Sequence, residues 1–514
     1  AMLNGVASPD AHVKVPLKTL NRHGLIAGAT GTGKTKTLQV IAEQMSLKGI
    51  PTLLMDIKGD LSGLAATGVE NDFIKNRHSQ INLPYEPQAM PVELMSINKG
   101  DGVHLKSTIS EFGPVLLGRI LELNDTQGSI LSMVFVYCDR NQLPLIDIKD
   151  LRKVLQFFIN EGKKEIDAEF GQVSSASVNT ILRKLLELEQ QGAEKFFGEL
   201  SFDPQDLCRL DEKGRGYINV LRLMDVQSTP KLFSTFMLSL LVEIYQTFPE
   251  VGDLEKPKLC IFIDEAHLVF SEASKTLLDQ IEVIIKLIRS KGVGIFFCTQ
   301  NPIDVPDAIL SQLGLKVQHA LRAFTAKDRV SIKKAAQNYP ESDFYKVDEL
   351  LTALGTGEAF VTALNEKGIP TPLAAIFTRS PLTRMDILTD EEVVALTSKS
   401  ALIPKYNLDI DRESAYEILR KKIEGAQSEE GIAQSEKQNA KTQAEMDKVI
   451  EREKKEAIRE HERNRKEQER IKKEEDKKAK ERKKMWTNVA DSVSKGATSS
   501  RGGGVIGSIT RTIL

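Results

Sequence analysis

Residues 28–35 read Gly-Ala-Thr-Gly-Thr-Gly-Lys-Thr, a complete G-x-x-x-x-G-K-[ST] loop. Backbone of this kind turns successive N–H groups toward an anion, and the helix that follows adds the positive end of its dipole. The chemistry implied is the holding of a nucleoside triphosphate such as ATP. Gly28, Thr30, Gly31, Thr32 and Gly33 would supply the cradle. Lys34 would reach the β- and γ-phosphates, Thr35 would offer its hydroxyl to Mg²⁺, and Lys36 would stand beside them at the helix start.

Hydrolysis needs acids as well. "LCIFIDEAH", residues 259–267, is an apolar run that ends in Asp264 and Glu265. Carboxylates at the carboxyl end of a buried strand sit beside a phosphate crevice. Asp264 would hold Mg²⁺ through water and Glu265 would polarise the attacking water. The adjacent glutamate favours an ATPase of the motor kind over a small GTPase-like switch. Gln300 ends the next apolar run and either senses the γ-phosphate or serves as a strand-end amide for the backbone. Arg289, on the preceding helix, either reaches across a subunit boundary to a neighbour's γ-phosphate or is a surface arginine near a helix end. Arg322 stands in a similar position after a later strand, and Arg329 is a weaker candidate. His267 has no ligand-spaced partner and reads as structural.

These groups need a sheet to position them. Strand-length apolar runs recur at Gly24–Gly28, Thr52–Asp56, Val92–Ile97, Tyr217–Leu221, Leu259–Asp264, Gly294–Thr299, Lys316–Leu321, Glu358–Thr362 and Leu373–Phe377. Runs such as "LCIFID" and "GIFFCT" do not alternate, which fits strands buried on both faces of a largely parallel sheet. The fold class expected is α/β, a P-loop core with a mostly parallel sheet. Strand signals vanish between 105 and 215, where "LRKVLQFFINE" and "VNTILRKLLELEQQ" repeat at helical spacing. The layout expected is therefore a first core part at 1–104, a helical insertion at 105–215 and a second core part at 216–405.

The chain has 514 residues and a net charge of −2. Charge is unevenly spread: residues 441–484 hold 18 Lys and Arg against 13 Asp and Glu. No global basic field announces a nucleic-acid partner, so any basic surface is local. The charged stretch carries frequent acid-to-lysine pairs at i,i+4, such as Glu451–Lys455 and Glu462–Lys466, and reads as a solvated helix over 441–485. A linker at 406–440 precedes it. A flexible tail with a short amphipathic end follows at 486–514. The four cysteines have no paired spacing, which suits a cytoplasmic protein. No apolar run has membrane-spanning length, and the start lacks a signal-peptide pattern and is abrupt, as if residues preceded it.

"GLIAGATGTGKTKTLQ", "LLMDIKGDLSGLA", "FIDEAHLVF", "SKGVGIFFCTQNP" and "HALRAFTAKDR", in this order, resemble the bacterial HerA-like branch of the HerA/FtsK superfamily. The resemblance covers roughly residues 15–400. It implies a RecA-like core, a homo-oligomeric, hexameric ring and ATP-driven translocation of DNA through a central pore. By position it assigns the trans arginine to Arg289 and the strand-end glutamine to Gln300. The N-terminal barrel usual in HerA proteins is not visible, and the insertion and tail set this chain apart from the well-understood translocases. A ring that moves protein, or an ATP-dependent scaffold whose C-terminal helix recruits a protein partner, remain the alternatives to a DNA motor.

Overall fold

The computed structural model describes residues 1–426 except 225–229, 253, 272–274 and 324, together with residues 442, 443 and 446. Those three positions aside, the charged helix expected at 441–485 and the tail at 486–514 lie outside the described residues. The strands are β1 (Met2–Leu3), β2 (Val6–Ala7), β3 (Gly24–Ala27), β4 (Thr52–Asp56), β5 (Val92–Ser96), β6 (Val103–His104), β7 (Ile218–Arg222), β8 (Leu259–Ile263), β9 (Val293–Thr299), β10 (Leu315–His319), β11 (Glu358–Thr362) and β12 (Ala374–Phe377). The nine apolar runs all form strands, with ends shifted by no more than two residues.

β3 to β12 make one sheet in the order β12-β11-β10-β3-β9-β8-β4-β7-β5-β6. Pairings from β10 through β6 are parallel, and β11 pairs antiparallel with β10 and with β12. Every residue of β8 and β9 is buried, as continuous apolar sequence requires of strands covered on both faces. Phe262 and Phe296 stack across this pair at 4.7 Å, in one core cluster with Ile26, Leu38 and Leu54. Cys260 and Cys298 are fully buried and free, and burial drives both thiols upward, so they behave as small hydrophobes.

The helices that matter to the site are α1 (Lys34–Leu47) and α2 (Asp72–Gln80). The insertion is helical, with α3 (Ile109–Ile120), α4 (Asp125–Arg140), α5 (Ile148–Ile159), α6 (Lys163–Phe170) and α7 (Ser175–Gln190). Three of these open with a reciprocal cap: Thr108 with Glu111, Asn124 with Gln127, and Asp147 with Asp150. Each such cap stabilises its helix by about 1 kcal/mol. The second core part adds α8 (Pro230–Thr247), α9 (His267–Ser271), α10 (Lys275–Ile288), α11 (Asp307–Leu310), α12 (Ala326–Ala336) and α13 (Val347–Ala353).

One compact unit runs from Ala1 to Ala415 and includes the insertion; a second comprises Tyr416–Leu514. The first unit thus extends ten residues beyond the end expected at Lys405, into what the sequence suggested was linker. The reason is a set of polar anchors. Tyr406 is fully buried, and its hydroxyl donates to Asp206 at 2.6 Å and accepts from Asp203 N at 3.1 Å. Asn407 accepts from His104 N and donates to Gly102 O. Ser414 donates to the buried Asp150 at 2.5 Å. A chain ending at Lys405 loses all of these, and an aromatic anchor alone contributes about 3 kcal/mol. Its thermal midpoint should fall by several degrees below that of the full-length protein, as differential scanning calorimetry would read it.

Candidate functional site

β3 lies between β10 and β9, and the loop that leaves it is clamped from both sides. Gly28 N donates to Thr299 O at 3.2 Å and Ala29 N donates to Ala320 O at 2.8 Å. A Cβ on Gly28 would lie 2.5 Å from the Cβ of His319, so only glycine permits this approach. His319 is buried. Its Nδ1 donates to Glu358 O at 2.9 Å, which leaves Nε2 to accept from the Thr37 hydroxyl at 2.9 Å. Burial pulls its pKa down to about 4, so the ring is neutral. Across the loop, Gly357 N donates to Thr32 O at 3.0 Å. Arg77 of α2 donates to the carbonyls of Thr356 and Gly357 and stacks 4.6 Å above Phe377, which fixes that turn.

Gly33 takes φ +109° and starts α1 without a side-chain cap, so the first N–H groups of the helix face the crevice. Lys34 is buried, and its ammonium donates to Ala29 O at 3.2 Å, folded back over the loop. Its pKa is lowered by burial and by Lys58, against the opposing pull of Glu265 and Asp264. Thr35 is half-buried in the first turn. Lys36 is turned aside, donating to Met385 O and to Gln39 at 3.3 Å.

The acidic pair leaves β8 two strands from β3. Asp264 and Glu265 are both 4% exposed. Burial, reinforced by the charge of Glu265, raises Asp264 to about 7. Asp264 Oδ2 is buried without a hydrogen-bond partner among the described residues. Glu265 has φ +46°, a left-handed conformation that costs a non-glycine residue of order 1 kcal/mol and is tolerated where the surroundings impose it. Lys58, on the loop after β4, forms an ion pair with Glu265 Oε1, and His267 Nδ1 lies 3.2 Å from Oε2. The Lys58 ammonium is the positive charge beside this carboxylate. A buried acid pair short of donors, beside a lysine and a helix N-terminus, fits a hydrated divalent cation bound with a polyphosphate.

The remaining candidates divide. Gln300 stands exposed at the end of β9, in an open cleft it shares with His267 and Asn301. Arg322 follows β10 on the phosphate-loop side, but its guanidinium donates to Thr352 O at 2.9 Å and Leu354 O at 3.4 Å. Arg289 is not brought to the loop. It is exposed in the turn Arg289–Lys291 after α10, at the start of β9, whereas Thr299 at the other end of β9 pairs with Ala27. Seven strand residues put roughly 20 Å between Arg289 and its own phosphate loop. The contacts of His319, Arg77 and Lys58 cannot be read from the sequence, because each depends on elements distant in the chain.

A loop–helix phosphate cradle on a parallel sheet, with an acidic pair at the end of a strand beyond the next one, defines a RecA-like P-loop NTPase core. A family model described as "Helicase HerA-like C-terminal" matches residues 2–511. The chain belongs to that family. It is 23% identical over 374 residues to the DNA double-strand break repair helicase HerA of Sulfurisphaera tokodaii, covering 68% of this chain and 64% of that protein. It is 26% identical over 392 residues to a probable helicase of Methanocaldococcus jannaschii, covering 71% and 67%. The chain thus spans about two thirds of the length of these relatives. Among solved structures, the plasmid coupling protein TrwB in complex with ADP and Mg²⁺ superposes with a TM-score of 0.48 at 14% identity, over 71% of this chain and 88% of that one.

Gly28→Ala tests the clamp. The added methyl should force His319 away, cost about 1–3 kcal/mol and lower nucleotide affinity at least tenfold in a fluorescent-nucleotide titration. Gly128→Ala, where a Cβ meets nothing within 4 Å, should leave affinity unchanged.

Proposed function

We propose that this chain is the motor part of a ring-forming ATPase that couples ATP hydrolysis to the translocation or remodelling of DNA. The observation that supports it most is the convergence of Lys34, Asp264 and Glu265 on one crevice, with Arg289 exposed at the far end of the same sheet. The family and the names of its helicase relatives supply the DNA.

ATP with Mg²⁺, when bound, supplies the γ-phosphoryl group and the cation that shields its charge. The loop N–H groups and the start of α1 bind the phosphates. Lys34 leaves Ala29 O to meet the terminal phosphates. Thr35 and Asp264 would hold the cation. Glu265 would orient the attacking water, and Gln300 would report on the terminal phosphate, as would Arg322 on leaving the carbonyls of Thr352 and Leu354. Arg289 cannot reach its own site, so its place is against the nucleotide of an adjacent copy, where an arginine stabilises transition-state charge. This gives the interface a catalytic reason to close into a ring, a hexamer by family resemblance. Its compartment is the cytoplasm, and the residues after 441 offer a site for a protein partner.

ATPase rates without polymer, with single-stranded DNA and with duplex DNA, at two salt concentrations, test the substrate. Stimulation by DNA that falls with salt is expected. Indifference to DNA with stimulation by a protein would move the motor to a protein substrate, and very slow turnover with nucleotide-dependent partner binding would make it a scaffold.

Mixing tests the assembly. Arg289→Ala should lower turnover on the order of 10³-fold, and Lys34→Ala should abolish it. Mixed rings hold some interfaces with an intact Lys34 and an intact neighbouring Arg289, so part of the rate should return. A monomer in sedimentation that hydrolyses ATP well would remove both the ring and the trans arginine.

A further inference from the structure

Glu265 is the carboxylate proposed to work on water, yet a lysine is paired with it. Lys58 Nζ is paired with its Oε1. The two partners differ in access: the Lys58 side chain is 38% exposed and that of Glu265 only 5%. The pairing with Glu265, by hydrogen bond and charge, holds the Lys58 ammonium in its charged form.

The placement of Lys58 is built in. Asp56, at the end of β4, is fully buried and ties down the residues that follow Lys58. Its Oδ1 accepts from Gly59 N at 2.7 Å and Asp60 N at 3.2 Å, and its Oδ2 from Leu61 N at 3.1 Å. Gly59 takes φ +76° with the Met224 side chain packed against it. These bonds fix the backbone, while the Lys58 side chain is partly exposed. Its ammonium also acts on Lys34: after burial, repulsion from Lys58 is the strongest influence on that group. Two ammonium groups therefore flank the space beside the acidic pair, each held on a temporary acceptor, Ala29 O for Lys34 and Glu265 for Lys58.

We infer that Lys58 is a second cation for the terminal phosphate: it rests on Glu265 when no γ-phosphate is present and transfers to the γ-phosphate when ATP binds, leaving Glu265 free to orient water. A diphosphate presents no group at that position and leaves the ion pair intact. The device ties release of the carboxylate to the presence of the bond to be cut. It also adds positive charge, beside that of Lys34, between the terminal phosphate and the carboxylate of Glu265. The inference rests on the ATPase reading.

The test compares ATP and ADP binding, each with Mg²⁺, and turnover in Lys58→Met and Lys58→Arg of the full chain. With Lys58→Met, ATP affinity should fall at least about tenfold, ADP affinity should change less than twofold, and kcat should fall on the order of 100-fold. Lys58→Arg should recover most of the preference for ATP. Lys58→Gln should give the same split if the methionine variant is unstable. Equal weakening of ATP and ADP would reduce Lys58 to a structural role, and unchanged ATP affinity or a faster kcat in Lys58→Met would make it at most a restraint on Glu265; either result overturns the inference. A wild-type chain that binds both nucleotides but hydrolyses neither sinks the ATPase reading itself, whereas a wild-type preference for ATP that survives in Lys58→Met sinks only the role of Lys58.

Discussion

The site depends on one steric constraint: β3 is pinned between β9 and β10 so closely that Gly28 has no room for a side chain beside His319. That approach sets where the loop leaves the sheet. The neutral imidazole then ties Thr37 of α1 to Glu358 at the start of β11, so helix and sheet share one buried polar link. A charged histidine would need solvation that this position does not offer, and burial keeps the ring neutral. Arg77 closes the arrangement from α2 through the turn that bears on Thr32. The loop is thereby shaped by contacts within the protein, which lowers the ordering cost of binding.

The second constraint is electrostatic. Asp264 and Glu265 are buried side by side with too few donors, a costly state for a chain with no use for it. Lys58 offsets part of that cost. The site is thus rigid in its backbone and under-satisfied in its acids, and a cation with a polyphosphate completes it. The left-handed backbone at Glu265 belongs to the same pattern, since it is retained where β8 must turn sharply to present both carboxylates.

Much of this was legible in the sequence because the signals are local. The phosphate loop is a contiguous pattern, and strands buried on both faces read as unbroken apolar runs, as in β8 and β9. The helices of the insertion show in the apolar spacing of "LRKVLQFFINE" and "VNTILRKLLELEQQ". What the sequence hid is long-range. Nothing around His319 or Arg77 says that they brace a loop formed 280 or more residues away for one and about 45 for the other, because the brace exists only once the strand order is known. The distance of Arg289 from its own loop likewise follows from the direction of β9, and the end of the first compact unit at Ala415 from the side-chain anchors of Tyr406 and Asn407. His267 read as structural from its isolation, yet it stands against Glu265.

The central claim is that Glu265 acts on water and not on nucleotide binding. Single-turnover hydrolysis of ATP by Glu265→Gln, with binding measured on the same protein, tests it most directly. ATP affinity within a few-fold of wild type and a hydrolysis rate at least ~100-fold lower is the predicted result, because the amide keeps the shape but cannot polarise the attacking water. Near-normal hydrolysis by Glu265→Gln would contradict it and return the buried acid pair to an unexplained feature of the fold.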